Sequence, residues 1–366
     1  MMTRRRFLSS ALAASGAAAL PGCAGHAYDE AVQATWRHTE AVQPKNAALM
    51  RELVRQATLA PSSHNTQCWR FELEEKSLSI LPDLDRRCPV VDPDDHHLFV
   101  SLGCATENLA QAALAHGLMA HVAFNADGLE VAIGLEPTKA LASPLYEAIT
   151  QRQSTRADYD GQPLSSEDLH LLERAGTGEG VDVLILTAKE SMEGVLEHVI
   201  EGNTAQMNDP AFIKELKDWI RFSKSEAVRK GDGLFTGSSG NPSVPRWLGS
   251  PLFDLFFTVK NETDKYASHV RSSAGIAVFS SQPNDAAQWI EVGRCYERFA
   301  LQAAALGIRN AHLNQPVELE TLRPQFARFL GLGDRRPDLV VRFGRGPTTP
   351  PSLRRPVQAV LTSPYD

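Results

Sequence analysis

The sequence lacks several patterns by which common classes of protein are identified. Its few cysteines form no metal-ligand motif, and we expect Cys68, Cys88, Cys104 and Cys295 to be small buried residues rather than a disulfide framework. Beyond the N-terminus, no apolar run approaches the roughly 20 residues that span a bilayer. A Gly-x-Gly-x-x-Gly string is absent, so a dinucleotide-binding Rossmann domain is not expected. The formal net charge of −7 gives no reason to expect a nucleic-acid partner.

Hydrolytic machinery is missing too. No Ser-His-Asp set, carboxylate pair or Cys-His pair has a spacing that suggests acid–base or nucleophilic catalysis. The segment 92–97, Asp-Pro-Asp-Asp-His-His, contains metal-ligand residue types. Because acidic residues favour the N-terminus of a helix, we interpret it as a helix cap and predict no metal site.

The N-terminus predicts export. Thr-Arg-Arg-Arg-Phe-Leu from Thr3, followed by the mild apolar stretch 9–20, resembles a twin-arginine signal peptide over residues 1–27. The alternative is a basic, irregular N-terminus. Leu-Pro-Gly-Cys, ending at Cys23, resembles a lipoprotein box, although Pro21 fits that pattern poorly. We therefore expect a periplasmic protein or a membrane-anchored lipoprotein, with any membrane attachment through Cys23.

Two segments of the chain repeat one another. Gly293 lies 190 positions after Gly103, and Glu297 lies 190 positions after Glu107. Both copies read as long helices with closely spaced small residues, so we expect the two helices to pack against each other across a pseudo-twofold axis. Chance similarity between alanine-rich helices is the alternative. The prediction is an α+β fold of two related halves, 28–140 and 141–366, with mixed central sheets flanked by helices.

Hydrophobic periodicity and turn residues place the elements of each half. We predict strands within 68–81 and 119–133, and further strands at 181–187, 275–280, up to Leu313 and at 339–343. Helices are predicted at 46–59, 165–175, 191–222 with a break near Pro210, and 319–330. Segment 224–260 begins rich in Gly, Ser and Pro and ends in aromatic residues, so it is interpreted as a lid-like insertion.

The string from Ala60 to Trp69, Ala-Pro-Ser-Ser-His-Asn-Thr-Gln-Cys-Trp, resembles a motif of the nitroreductase-like FMN-binding family, with Cys68 in place of a proline. The resemblance implies a loop that reaches the flavin across a subunit interface. Short polar side chains there can bind ribityl hydroxyls and the ring edge. A turn and strand without ligand is the alternative. The implied flavin-binding residues are Pro61, Ser62, Ser63, Asn65 and Gln67, and His64 is a possible proton donor or a structural histidine.

Three further strings fit the same resemblance. Arg152-Gln-Ser154-Thr-Arg156 is similar to the family's FMN phosphate motif, because guanidinium groups form charge-assisted bonds with phosphate oxygens. A solvated polar loop is the alternative. The C-terminal arm carries a basic pair before proline, which implies a further phosphate ligand or a solvated tail. Asn-Gln-Pro lies where the family's backbone passes flavin N5. These strings add Arg354, Arg355, Asn314 and Gln315 to the predicted site.

The halves do not supply two complete sites. The phosphate motif occurs only in the second half and the Pro-Ser-Ser-His-Asn loop only in the first, which predicts one composite FMN site in a monomeric pseudo-dimer. This arrangement resembles the fused, Acg-type branch of the family. It implies an FMN-dependent oxidoreductase acting through flavin N5 on a nitro, quinone or similar small acceptor, with an unknown electron donor. An FMN-sequestering protein without turnover is the alternative.

Overall fold

The computed structural model describes residues 21–38 and 46–362, without the side chains of residues 21–24 and 46. Residues 1–20 of the predicted twin-arginine signal lie outside this range, and residues 21–27 belong to the first helix. The first part of the chain contains four helices and strands in pairs. The helices are α1 (Pro21–Thr35), α2 (Asn46–Thr58) and α3 (His96–Ala115), followed later by the short α4 (Pro144–Ala148). The strands are β1 (Trp69–Leu73), β2 (Ser77–Pro82), β3 (Leu118–Asn125) and β4 (Glu130–Pro137).

The rest of the chain repeats this pattern around a large helical insertion. Its framework is α5 (Ser166–Gly176), β5 (Val181–Leu186), β8 (Gly275–Ser281), α11 (Ala286–Ala305), β9 (Arg309–His312) and β10 (Arg336–Gly344). Between β5 and β8 lie α6 (Lys189–Met207), α7 (Pro210–Trp219), β6 (Ile220–Arg221), α8 (Lys224–Lys230), β7 (Leu234–Phe235), α9 (Arg246–Phe256) and α10 (Val259–Arg271). Two short helices, α12 (Gln315–Glu318) and α13 (Arg323–Phe329), precede β10.

The two sheets have the same topology. The first has the strand order β1-β2-β4-β3 and the second β5-β8-β10-β9, so each strand of one half has a counterpart in the other. Neighbouring strands within both sheets are antiparallel. A parallel bridge is added at one edge of each sheet, where Leu361 lies beside Phe71 and Ser154 beside Asn310. The architecture is therefore the predicted α+β fold of two related halves.

Helices α3 and α11 pack together at the centre of the molecule, and their glycines permit the approach. A Cβ atom added at Gly103 would lie 2.0 Å from the carbonyl oxygen of Ile290, and one added at Gly293 would lie 2.0 Å from that of Val100. The same 190-residue offset relates Val100 to Ile290, so the contact is reciprocal. The helix pairing predicted from the repeat is confirmed, and it forms an intramolecular pseudo-dimer.

One hydrophobic core runs through both halves. It includes Leu53 and Leu102 from the first half and Phe279 and Phe299 from the second. A second cluster lies on the other side of the second sheet, where α6, α12 and α13 cover β8 and β10. Cys68, Cys88, Cys104 and Cys295 are buried free thiols, as expected. No helix in the described part of the chain is both long and apolar enough to cross a bilayer.

The lid-like segment 224–260 is more regular than its composition suggests. Ser223 caps α8 by accepting a hydrogen bond from the backbone N–H of Glu226, and Gly231 ends that helix with a φ of +64°. Helix α9 follows, although Pro251 lies inside it. The segment is only part of a longer insertion that begins at α6. The helix predicted at 319–330 is present in shortened form as α13 (Arg323–Phe329), and the separate short helix α12 precedes it.

Candidate functional site

A cavity of about 850 Å³ lies where the two halves and the insertion meet. The first half contributes the loop from Pro61 to His64 and the first part of α3. The second half contributes the end of β9 and the inner faces of α9 and α10. Residues that line the cavity and were not singled out in the sequence include Ser101, Cys104, Asn203, Gln206, Lys265, Tyr266, His269, Tyr296 and His312.

The loop 61–67 has an unusual backbone. His64, Asn65 and Gln67 have φ angles of 48°, 53° and 55°, in the left-handed region that non-glycine residues rarely adopt. Ser62 stabilises this conformation, because its hydroxyl accepts a hydrogen bond from the backbone N–H of Gln67 at 2.9 Å. Strain of this kind is concentrated at functional sites. The loop places Pro61, Ser62, Ser63 and His64 at the cavity wall.

Asn65 and Gln67 hold neighbouring segments in place. The Asn65 amide donates to the carbonyl oxygens of Gly233 and Leu353, and the Gln67 amide donates to that of Gly231. Gln67 also accepts from the backbone N–H of Arg355 at 2.8 Å. The loop therefore fixes both the start of the lid and the C-terminal arm. Gln67 lines neither described cavity, nor does Arg355, which lies 3.7 Å from Asp83.

The predicted phosphate residues meet around a smaller cavity. This space of about 70 Å³ is lined by Arg152, Ser154, Arg156 and Arg354, together with Asn65. It shares Pro61, Ser62, Ser154 and Arg156 with the large cavity, so the two adjoin. Three guanidinium groups around so small a space create a strongly positive environment suited to an anion.

Two of these arginines are anchored. Arg354 donates to the carbonyl oxygens of Thr58, Leu59 and Ala60, which ties the C-terminal arm to the end of α2. Burial, together with the nearby charge of Arg152, lowers the pKa of Arg354 to about 9. Arg152 lies 3.2 Å from the buried Glu297, while its Nη1 atom has no hydrogen-bond partner within the described chain.

Arg156 is different, because no hydrogen bond or ion pair reaches it from any residue in the described ranges. Its charge acts on the histidines of the cavity. Burial is the main cause that lowers the pKa of His64 to about 4, and the pKa of His269 and of His312 to about 3, with Arg156 contributing in each case. At neutral pH these rings are uncharged, which leaves Arg156 without a compensating anion.

Asn314 and Gln315 also line the large cavity. The Asn314 side chain accepts from the backbone N–H of Val340, and the Gln315 amide donates to the hydroxyl of Tyr266 at 2.5 Å. Burial raises the pKa of Tyr266, so this hydroxyl keeps its proton. Tyr266 and His269 lie on one face of α10, a helical spacing visible in the sequence. Nothing in the sequence signals that this face lines the same cavity as the loop 61–67.

The pseudo-twofold axis relates the surroundings of Glu297, beside the arginine-lined cavity, to those of Glu107, where the side chains differ. Near Glu297, the first half supplies Cys104 and Asn108, and the Asn108 amide lies between Glu297 and the backbone N–H of Ala60. At the equivalent position near Glu107, α11 supplies Arg294 and Arg298, whose guanidinium nitrogens lie 3.4 and 3.1 Å from that carboxylate. Arg298 also donates to Ala175 at 3.2 Å. These side chains contact Glu107 as Arg152 contacts Glu297 on the other side.

The segment 92–97 acts as a cap. The Asp92 carboxylate accepts hydrogen bonds from the backbone N–H groups of His97 and Leu98, each 2.9 Å long. Asp92, His96 and His97 do lie close enough to share an ion. However, the Asp92 oxygens are engaged by the helix N-terminus, and His96 lies 3.1 Å from the buried carboxylate of Asp338. The geometry thus agrees with the helix-cap interpretation.

The fold and the cavity define the class of protein: an α+β protein whose two related halves form an intramolecular pseudo-dimer around a site between them. Over most of its length the chain is similar to two Mycobacterium tuberculosis proteins. “Putative NAD(P)H nitroreductase Rv3131” is 24% identical over 88% of this chain and 93% of its own. “Putative NAD(P)H nitroreductase acg” is 23% identical over 86% and 95%. These findings confirm the resemblance to the Acg-type branch of the family.

Comparisons with family models and with solved structures show less similarity than the curated relatives do. No protein-family model matches the chain. A solved nitroreductase with bound FMN from Desulfitobacterium hafniense is 15% identical, covers 61% of this chain and 99% of its own, and has a TM-score of 0.38. An FMN-bound nitroreductase from Bacteroides fragilis is also 15% identical, covers 56% and 89%, and has a TM-score of 0.34.

Proposed function

We propose that the chain is an FMN-dependent oxidoreductase that passes electrons to a small acceptor such as a nitro compound or a quinone. The observation that carries the proposal is the convergence of Arg152, Ser154, Arg156 and Arg354 around a small cavity adjoining a large one. The NAD(P)H nitroreductase names of the curated relatives support the enzyme class.

The residues present fit FMN. Arg156 is an unpaired cation, and Arg152 Nη1 is a buried donor without a partner in the described chain, so a bound phosphate would satisfy both. The large cavity is within the range of roughly 300–1,000 Å³ typical of small-molecule sites, and it combines apolar walls with a few polar groups. Its size suits the ring and ribityl chain, while the small cavity suits the phosphate.

When bound, FMN supplies the redox chemistry, and the protein contributes binding, orientation and control of access. Ser62 and Ser63, which line the large cavity, would hold the ribityl chain and ring edge. Asn65 lines only the small cavity, where its amide holds the segments of Gly233 and Leu353. The Asn314–Gln315 backbone remains the predicted neighbour of N5. Tyr266 holds a proton at its hydroxyl beside Gln315, which makes it a hydrogen-bond donor to the cavity at neutral pH. The uncharged His64 can donate through only one ring nitrogen.

The electron donor available to the protein depends on the cellular compartment in which it works. The names of the curated relatives favour a nicotinamide donor. The arginine-rich leader favours twin-arginine export to the periplasm, as a free protein or as a lipoprotein anchored at Cys23, where a quinol would be the more available reductant. The fused halves favour a monomer with one FMN per chain, since Arg294 and Arg298 fill the equivalent position.

The test is FMN affinity in Arg156→Ala. Because a hydrogen bond to a charged group contributes about 1.5–3 kcal/mol, the dissociation constant should rise by roughly 10- to 100-fold. Arg156 supports no described ion pair, so the fold should remain intact by circular dichroism. Arg174→Ala, which removes an exposed arginine on α5, is the matched control and should bind FMN normally. Equal affinity in both variants would show that the phosphate site lies elsewhere.

A second candidate, an FMN-holding protein without turnover, is favoured by the lid. Phe235, Phe253 and Phe257 line the large cavity, so the insertion covers it from the side of α9. Reduction of the bound flavin by NADPH and by a soluble quinol separates the two functions. Reduction and reoxidation by an acceptor over many turnovers support the enzyme. Reduction by dithionite alone supports the holding protein.

A further inference from the structure

The outer face of α9 is unusually apolar. Trp247, Leu255 and Phe256 are 75%, 65% and 60% exposed, and Leu248 and Leu252 are more than one third exposed. These residues recur at helical spacing, so they form one continuous stripe, which we call the α9 patch. The charged residues of α9 are engaged beside it, Arg246 with Glu226 and Asp254 with Lys217. Contiguous exposed apolar surface on a folded protein marks an interaction site.

The α9 patch is continuous with the cavity. Leu252 and Phe256 belong to the exposed stripe and also line the 850 Å³ space, whereas Phe253 packs inward against Phe222 and Phe257. Apolar side chains therefore form a continuous surface from the outer face of α9 to the cavity. This arrangement suits a ligand that arrives from an apolar phase.

The N-terminal part of the chain leads to the same insertion. Helix α1 packs against α8, where the Tyr28 ring lies 5.1 Å from that of Phe235 and the Lys224 ammonium lies over Tyr28. Helix α1 therefore lies beside the lid, and the lipoprotein-box resemblance ends at Cys23, within its first turn. The exposed basic residues Arg229 and Lys230 end α8, the helix whose Glu226 pairs with Arg246 at the start of α9.

We propose that the α9 patch is a membrane-docking surface that lies in the interfacial region of a phospholipid bilayer, with the cavity mouth facing the lipid. Tryptophan and large aliphatic residues on one face of a helix partition into this region, and basic residues nearby favour anionic headgroups. The inference goes beyond the proposed function and does not depend on flavin binding. Docking would give an amphipathic acceptor or donor, such as a quinone, a path from the bilayer to the cavity.

Vesicle binding tests the proposal, with the Cys23→Ser chain used so that no attached lipid contributes. Vesicles of phosphatidylcholine and phosphatidylglycerol carry bromine on their acyl chains, which quenches nearby tryptophan fluorescence. We expect quenching that largely disappears in Trp247→Phe, because Trp247 is the exposed ring of the α9 patch. Trp69 and Trp289 are buried, and Trp36 and Trp219 lie against arginine side chains. Co-flotation should weaken at least tenfold in Trp247→Ser/Leu255→Ser.

The matched control is Met119→Ser/Leu141→Ser, which removes two exposed apolar side chains from β3 and from the segment after β4. It should float with vesicles like the Cys23→Ser parent, and circular dichroism should show that all variants are folded. Quenching unchanged by Trp247→Phe would overturn the proposal, even if the leader holds the chain on vesicles. A dimer in sedimentation that only Trp247→Ser/Leu255→Ser abolishes, without Trp247 quenching, would assign the α9 patch to a second copy.

Discussion

The reciprocal glycine contact between α3 and α11 makes a sharp prediction. In Gly103→Ala, the new methyl carbon would lie 2.0 Å from the Ile290 carbonyl oxygen and 3.0 Å from the Gly293 Cα atom. Since carbon and oxygen atoms in contact are about 3.3–3.6 Å apart, the helices must separate by more than about 1 Å. Overpacking of this kind costs typically 1–3 kcal/mol, and here the obstacle is backbone, so we expect at least about 3 kcal/mol.

The pseudo-symmetry of the two helices makes the same prediction for Gly293. Gly293→Ala should cost about as much as Gly103→Ala, because its new methyl carbon would lie 2.0 Å from the Val100 carbonyl oxygen. The double variant should cost less than the sum, since one separation of the helices relieves both clashes. For a chain of this size, the loss corresponds to a fall in Tm of roughly 5 °C.

Urea unfolding followed by circular dichroism and tryptophan fluorescence measures the loss. Gly134→Ala is the matched control, because its new methyl carbon would meet no described atom closer than 3.9 Å. That variant should unfold like the parent. Unchanged stability in both Gly103→Ala and Gly293→Ala would refute the close helix contact and with it the pseudo-dimer interpretation.

Three further predictions concern buried charges. Burial lowers the pKa of His312 to about 3. The free energy of unfolding should therefore fall as the pH drops from about 6.5 towards 3, because the buried ring resists protonation. In urea titrations over this pH range, His312→Gln should lose less stability than the parent. Burial raises the pKa of Glu297 to about 7 despite Arg152, so stability present below about pH 4.5 is lost as pH rises through 7; Glu297→Gln should abolish that fall between pH 5 and 8. Asp232 bridges Arg221 and Arg86, so Asp232→Asn should cost about 3 kcal/mol and speed tryptic cleavage of the lid, and unchanged cleavage would contradict this role.

Much of the fold could be predicted because its signals are local. Pro210 marks the break between α6 and α7, as expected, and the predicted helix at 165–175 is α5, which Ser165 caps by accepting from the Asp168 backbone N–H. The secondary structure of region 224–250 could not be predicted, because its glycines and prolines suggest irregular structure. Packing of Phe222 against Gly249 and Phe253 stabilises α9 in spite of Pro251, and such contacts between distant residues leave no local signal.

For the candidate site, too, the residues could be predicted from the sequence but their environments could not. Residue type and motif spacing selected Arg152, Ser154, Arg156 and Arg354, and the fold brings them to one small cavity. Their individual environments could not be predicted, because those depend on partners far along the chain. Arg354 is bound by carbonyl groups at the end of α2, whereas Arg156 has no described partner. For the same reason, no sequence pattern showed that Gln67 and Arg355 hold the lid and the arm rather than line a cavity.

The sequence by itself determined the repeat, the helix pairing and the absence of a second complete set of motifs, because these follow from residue identities at fixed spacings. Only the tertiary structure decided that Arg294 and Arg298 fill the equivalent position, and that α9 presents apolar side chains both to the cavity and to the outside. A helical period shows which residues share a face. What that face meets depends on the free energy of packing the whole chain, which no local pattern contains.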